Sequence, residues 1–172
     1  RLVQPGETVM LDSGTTTLAI ARALRRVGEL TVVTTSLPIA SQLFGCEGIE
    51  LLLLGGRLRR DAPDLVGALT DRNLDDMRVD VAFVGADAVD LDGNAYNADP
   101  ELARMLSRMG AAAERRYVAA DASKIGRRAM MRFARLDEWS ALVTDNRLSP
   151  GQRSRLARAG VTIEQPRESI YE

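Results

Sequence analysis

Apolar and polar positions along this chain alternate between two textures. Short runs of aliphatic and β-branched residues, with little polar alternation inside them, are separated by stretches in which apolar residues recur at helical spacing. The runs predict strands at Thr8–Leu11, Leu30–Thr34, Ile49–Leu54, Val79–Gly85, Arg116–Ala120, Ser140–Thr144 and Val161–Glu164. The stretches between them predict helices at Thr16–Val27, Leu37–Phe44, Ala68–Met77, Pro100–Ala113 and Pro150–Ala159, with Pro100 and Pro150 at first-turn positions that tolerate proline. Continuous apolar strands are those covered on both faces. The alternation therefore predicts an α/β domain, a mostly parallel sheet with helices on both faces. Gly55–Pro63 and Asp90–Asp99 read as loops at one end of that sheet, and the Pro-Arg-Glu-Ser tail from Pro166 as a poorly ordered end.

Composition narrows this picture. A chain of 172 residues, 45% apolar, supports one domain with a sizeable core and contains no apolar run long enough to cross a bilayer. It opens without a secretory leader, and Arg1 is not a start residue, so an upstream part is expected. A net charge of −1 gives the chain no basic face for nucleic acid. The single Cys46 excludes an internal disulfide and fits a reducing cytoplasm. Histidine is absent, which removes imidazole zinc sites, Ser-His-Asp chemistry and the usual neutral-pH proton shuttle. Acid–base work would fall to Asp, Glu or Lys, and neither metal nor cofactor is expected.

The candidate chemistry lies where strands end. After the first strand comes Asp12-Ser13-Gly14-Thr15-Thr16-Thr17, then a helix. A helix start offers unpaired N–H groups and the positive end of aligned peptide dipoles. One hydroxyl suffices for a helix cap; four hydroxyls and a glycine exceed that need and point to a phosphate or other anion. Neither a dinucleotide fingerprint nor a Walker loop is present. Thr34-Thr35-Ser36 before Leu37-Pro38 reads as a cap or as a second wall of the same pocket, since ligands in open parallel sheets sit beyond the carboxyl ends of strands. Gly55-Gly56-Arg57 ends the third strand, and Arg57 is its candidate pocket residue. Gly85-Ala86-Asp87 ends the fourth, where Asp87 can accept hydrogen bonds from sugar hydroxyls. Glu101, in the next helix's first turn, either joins it or complements the helix dipole. Lys124, in Asp121-Ala122-Ser123-Lys124-Ile125-Gly126, supplies a point charge for a bound phosphate. Arg22, Arg25 and Arg26 read as a solvated helix face.

In this order the turns resemble the effector-sensing C-terminal domain of the DeoR family of bacterial transcriptional regulators. The resemblance rests on Leu11 to Thr17 (Leu-Asp-Ser-Gly-Thr-Thr-Thr), Val32 to Leu37, Leu54 to Arg59 (Leu-Gly-Gly-Arg-Leu-Arg), Val66-Gly67, Asp80 to Ala86, Ala120 to Arg127 and Trp139 to Asp145. It implies a fold shared with ribose-5-phosphate isomerases and coenzyme A transferases, and recognition of a phosphorylated sugar or related metabolite. It also implies a winged helix-turn-helix upstream, through which alone the protein would meet DNA, and a homo-oligomer. Carried over position by position, the resemblance implies phosphate contacts from Ser13, Gly14, Thr15, Thr16 and Lys124, with Ser36 nearby. Asp12, Gly55, Asp87 and Glu101 would line the sugar end. Thr35 stands where the family commonly has Asn, and Leu102 to Met105 where it often has a Lys.

The alternative is an isomerase, which needs a base and a group to polarise a carbonyl. The isomerases that this fold resembles carry Asp-Gly-Ala-Asp at the fourth strand's end; here Val84 replaces the first acid. Losing one carboxylate weakens turnover without harming binding, so the expected role is a sensor.

Overall fold

The computed structural model describes residues 2–166, so the tail expected to be poorly ordered past Pro166 lies outside the described residues. The chain first builds β1 (Thr8–Leu11), α1 (Thr15–Leu24), β2 (Leu30–Thr34), α2 (Leu37–Leu43) and β3 (Ile49–Leu53). Next come β4 (Arg57–Leu58), β5 (Leu65–Val66), α3 (Ala68–Asp76), β6 (Val79–Gly85), β7 (Ala88–Val89) and β8 (Asn94–Asn97). It finishes with α4 (Pro100–Ala111), β9 (Ala113–Ala119), β10 (Met131–Arg135), β11 (Ala141–Val143), α5 (Pro150–Arg158) and β12 (Ile163–Glu164).

Seven strands form one wholly parallel sheet in the order β12-β11-β9-β6-β1-β2-β3. The chain starts near the middle and winds outward both ways, so β1 and β6 are adjacent strands whose connections leave in opposite directions. Side chains alternate between the two faces of each strand. Val9, Leu11, Val32, Val81, Phe83 and Tyr117 share one core with Ala21 and Leu24 of α1 and Ile39 and Leu43 of α2. Met10, Val33, Ala82, Val84, Val118 and Leu142 share the other with Leu74 of α3, Met105, Leu106 and Met109 of α4 and Leu156 of α5. The sheet thus has helices on both faces.

Several expectations are corrected. The Asp90–Asp99 loop contains β8, which pairs with β7 and with β10 in a separate three-stranded antiparallel sheet. Buried Asp90 organises its turn, accepting from the N–H groups of Asp92 and Asn94 at 3.0 Å each while Gly93 takes φ 84°. The Gly55–Pro63 loop holds β4, half of a hairpin with β5. β9 begins at Ala113 rather than Arg116, because its first half pairs with β6, Val79 with Ala113 and Val81 with Arg115; polar Glu114 to Arg116 give no apolar run there. α1 ends at Leu24, since Arg26 and Val27 donate to carbonyls three residues back and the chain turns at Gly28, φ 102°. β3 is an edge strand rather than one covered on both faces, leaving Leu52 37% and Leu53 43% exposed. Among the described residues no helix is long and apolar enough to cross a membrane.

Candidate functional site

The turn after β1 is the floor of the site. Gly14 is the N-cap of α1, and no side chain caps that helix. Thr17, the third residue of the helix, donates backwards to the carbonyls of Asp12 and Gly14 at 3.2 Å each. The first helical bond runs from Leu18 N to Gly14 O at 2.9 Å, so the N–H groups of Thr15 to Thr17 have no protein partner among the described residues. That leaves an open patch of donors at the positive end of the helix. α2, by contrast, is capped: Ser36 Oγ accepts from Ile39 N at 3.4 Å, and Thr34 Oγ1 accepts from Ser36 N at 3.1 Å. Of the two hydroxyl-rich turns, only the second is explained by capping.

A cavity of about 130 Å³ stands over α1's first turn, and Asp12, Ser13, Gly14, Thr15, Thr16, Asp87 and Lys124 line it together. Lys124 arrives from the turn after β9, where a short 3₁₀ helix (Ala122–Lys124) is capped by Asp121 Oδ1 accepting from Ser123 N at 2.9 Å. It lines the cavity and joins no ion pair among the described residues, its charge being felt by the nearby carboxyls of Asp12 and Asp121. Ser13 and Lys124 therefore open onto one space.

Asp12 is 3% exposed. Its Oδ2 accepts from Gly85 N at 2.8 Å, while Oδ1 is buried without a protein partner. A Cβ at residue 85 would stand 3.3 Å from Oδ2, so glycine there lets the carboxyl approach. Burial pushes this carboxyl up to about 7, against the opposing pull of the Gly85 N–H and Thr17, with Asp64 raising it slightly and Lys124 lowering it.

Beyond Asp87, Asn97 and Leu102 the cavity opens into a wider cleft of about 680 Å³ walled by Arg59, Asp61, Ala98, Asp99, Pro100 and Met130. Asp87 is exposed there, its Oδ2 accepting from Ala98 N at 2.9 Å. Arg59 is held over the cleft by Asp61 at 3.0 Å, Asp64 at 3.7 Å and Asp99 at 3.9 Å. One end of the site thus offers amides and one lysine, the other several carboxylates gathered round Arg59.

Five expected residues stand outside the small cavity. Thr34 and Ser36 are buried and engaged in the α2 cap. Gly55 offers its carbonyl to Thr70 Oγ1 at 2.7 Å. Arg57 and Glu101 pair with each other at 2.7 Å, both partly in solvent. Thr17, Gly85, Ala86, Asn97, Leu102 and Ala119 line the cavity without having been singled out as contacts. Asn97 enters through its place on β8, a strand with no clear sequence signal. Gly56 rather than Gly55 is the sterically required glycine, since a Cβ there would collide with Thr70 Oγ1 and approach Val66 O to 2.8 Å.

The sequence pattern described as the DeoR C terminal sensor domain matches residues 1–146. The chain belongs to the DeoR family. Among curated relatives of this DeoR sensor domain, the HTH-type transcriptional regulator GlpR of Haloferax volcanii is 35% identical over 92% of the chain and 62% of its own length. The HTH-type transcriptional repressor GlcR of Bacillus subtilis is 33% identical over 94% of the chain and 62% of its own. The glycerol-3-phosphate regulon repressor of Escherichia coli is 30% identical over 81% of the chain and 56% of its own. The chain thus spans between 56% and 62% of the length of these three relatives. In fold, this DeoR domain is similar to ribose 5-phosphate isomerase A of Methanocaldococcus jannaschii, with a TM-score of 0.50 and 21% identity over 72% of this chain and 48% of that one. That likeness is one of fold; the curated relatives are regulators of transcription.

Proposed function

We propose that this sensor domain binds a phosphorylated sugar or related phosphorylated metabolite and thereby modulates DNA binding by a winged helix-turn-helix upstream of it, in the cytoplasm. The observation that carries this reading is the meeting of α1's uncapped first turn with unpaired Lys124 in one small cavity. Amide dipoles and an ammonium suit a phosphoryl dianion, and fixed donors bind it without reorganising. The adjoining cleft with Asp87, Asp61 and Asp99 suits hydroxyl groups, because ionised carboxylates accept hydrogen bonds. Ser13, Thr15 and Thr16 add hydroxyl donors at the phosphoryl end; Asp12 and Asp87 lie between phosphoryl group and polyol. Regulation follows if the ligand prefers one of two conformations or assemblies.

The isomerase alternative lacks support at position 84, where Val84 is fully buried in the core. Pentose and hexose phosphates, each with its unphosphorylated parent, form the decisive panel. At a hundred times its Kd a bound ligand adds about 2.7 kcal/mol to stability, read as a thermal shift. The shift is expected for at least one phosphate ester, for none of the parent sugars, and without isomerised product. Lys124→Ala is expected to weaken binding roughly tenfold or more, the loss of one charge-assisted contact. An unchanged Kd would remove Lys124 from the site, and efficient isomerisation would favour the enzyme.

A further inference from the structure

Asp12 stands two residues before Gly14, the N-cap of α1, close to N–H groups that stabilise negative charge. Its carboxyl does not use them. Oδ2 accepts instead from Gly85 N, at the end of the neighbouring strand β6, at 2.8 Å. Oδ1 is closed to solvent and has no partner among the described residues. The open donors of α1 are thereby left to a ligand, and a nearly buried acid stands in the wall of the same cavity. An ionised carboxylate inside a protein is stable when several donors or a cation hold it. Asp12 has one backbone N–H, with the Thr17 hydroxyl beside it.

Charged groups reach Asp12 from three elements. Lys124, in the turn after β9, and Asp87, after β6, line its cavity, and buried Asp64 lies just before β5. Burial is the largest influence and pushes the carboxyl up to about 7, Asp64 adding to it while Gly85 N–H, Thr17 and Lys124 oppose it. Both forms are therefore populated near neutral pH, and a ligand can choose between them. A phosphoryl group on α1's first turn brings close to two negative charges into this small space. It also engages Lys124, which otherwise favours the ionised form of Asp12. Like charges sharing a site raise the affinity for protons of the group able to take one. The ester itself takes a second proton only near pH 6, which leaves Asp12 as the acceptor.

We propose that ligand binding is coupled to proton uptake at Asp12: the phosphate enters as a dianion, one proton passes from solvent to the Asp12 carboxylate, and the complex holds that carboxyl neutral. This coupling rests on the phosphate reading given above. By reciprocity the domain then answers to proton concentration as well as to its ligand. Methyl phosphate, which carries the phosphoryl end alone and is a dianion well above its pKa of about 6, is the probe. Added to the unbuffered chain held at about pH 8 by a pH-stat, it is expected to take up close to one proton per ligand bound. Its Kd is expected to rise roughly fivefold from about pH 7.5 to about pH 8.5, as linkage requires of a group that titrates at about 7 in the free domain and well above it in the complex. Asp12→Asn keeps an acceptor for Gly85 N and cannot ionise, so it is expected to bind with one Kd at both pH values and to take up no proton. Asp64→Asn is expected to keep the wild-type uptake, and it separates the two acids even if Asp12→Asn does not fold. Binding by the wild type without proton uptake overturns the coupling and leaves the phosphate seat standing. Uptake that persists in Asp12→Asn, or disappears in Asp64→Asn, overturns the assignment to Asp12. Absence of binding at both pH values overturns the seat itself.

Discussion

Asp12 is the residue whose chemistry departs furthest from its ordinary behaviour. One oxygen is tied to Gly85 N, the other has no partner, and burial holds the carboxyl near neutrality at about 7. In the unfolded chain an aspartate loses its proton near 3.9, so between that value and about 7 the native state binds more protons than the unfolded state. Stability is then fully present below the unfolded value and declines as pH rises, by an amount on the order of 4 kcal/mol. Asp12→Asn keeps the acceptor for Gly85 and removes the titration. Its stability relative to wild type should therefore improve steadily from about pH 4 to about pH 8 in urea titrations. A difference that does not change with pH would mean that Asp12 is ionised throughout. The residues that gather at this cavity were legible because hydroxyls, glycine and lysine cluster at the carboxyl ends of strands. Thr34 and Ser36 were not separable from them by sequence, since the same hydroxyls serve capping and ligand binding alike; the direction of Thr17's bond decides for α1 and Ser36's for α2.

Elements differ in how their ends are completed. α4 begins at Asp99, whose Oδ1 accepts from Glu101 N at 2.8 Å and Leu102 N at 3.3 Å, and α5 at Ser149 in a full capping box with Gln152. These ends serve stability, whereas α1's is left to the solvent or a ligand. Asp99→Ala should cost about 1 kcal/mol in chemical denaturation, the usual loss for a helix cap. Ser13→Ala should change stability by less than about 0.5 kcal/mol, as an ordinary surface substitution does, yet weaken phosphate-ester binding. Equal losses from both would mean that Ser13 completes the fold rather than the site. Two helices were foreseeable without reference to anything distant: proline at N1 marks the start of both α4 and α5, and in α4 an apolar stripe through Ala103, Leu106 and Met109 follows it. The small sheets were not. β7 and β8 have too few residues for a period to register, and β10 reads Met-Arg-Phe-Ala-Arg, half polar and paired through a bulge between Arg132 and Ala134.

Across the whole molecule, burial is deepest in the middle of the sheet and falls towards its edges. Val9, Met10, Leu11, Val81, Ala82, Val84 and Val118 are closed to solvent, while Leu52 and Leu53 on β3 are not. Amides of β1, β6 and β9 are expected to exchange hydrogen only through global unfolding, and those of β3, β4 and β5 through smaller openings. Equal protection of β3 and β6 would show that the edge is covered in solution. The parallel sheet itself was readable from strand–helix alternation; the order of its strands, with β1 beside β6, was not, because nothing local in a strand says which neighbour it will have. That order is what brings the turns after β1, β6 and β9 together round one small cavity.

Thr16 lines both the small cavity over α1's first turn and a wider hollow between α1 and β11, and Asp121, which caps the turn of Lys124, lines that hollow too. One opening turn thus serves two concavities, so a substitution at Thr16 changes the walls of both at once.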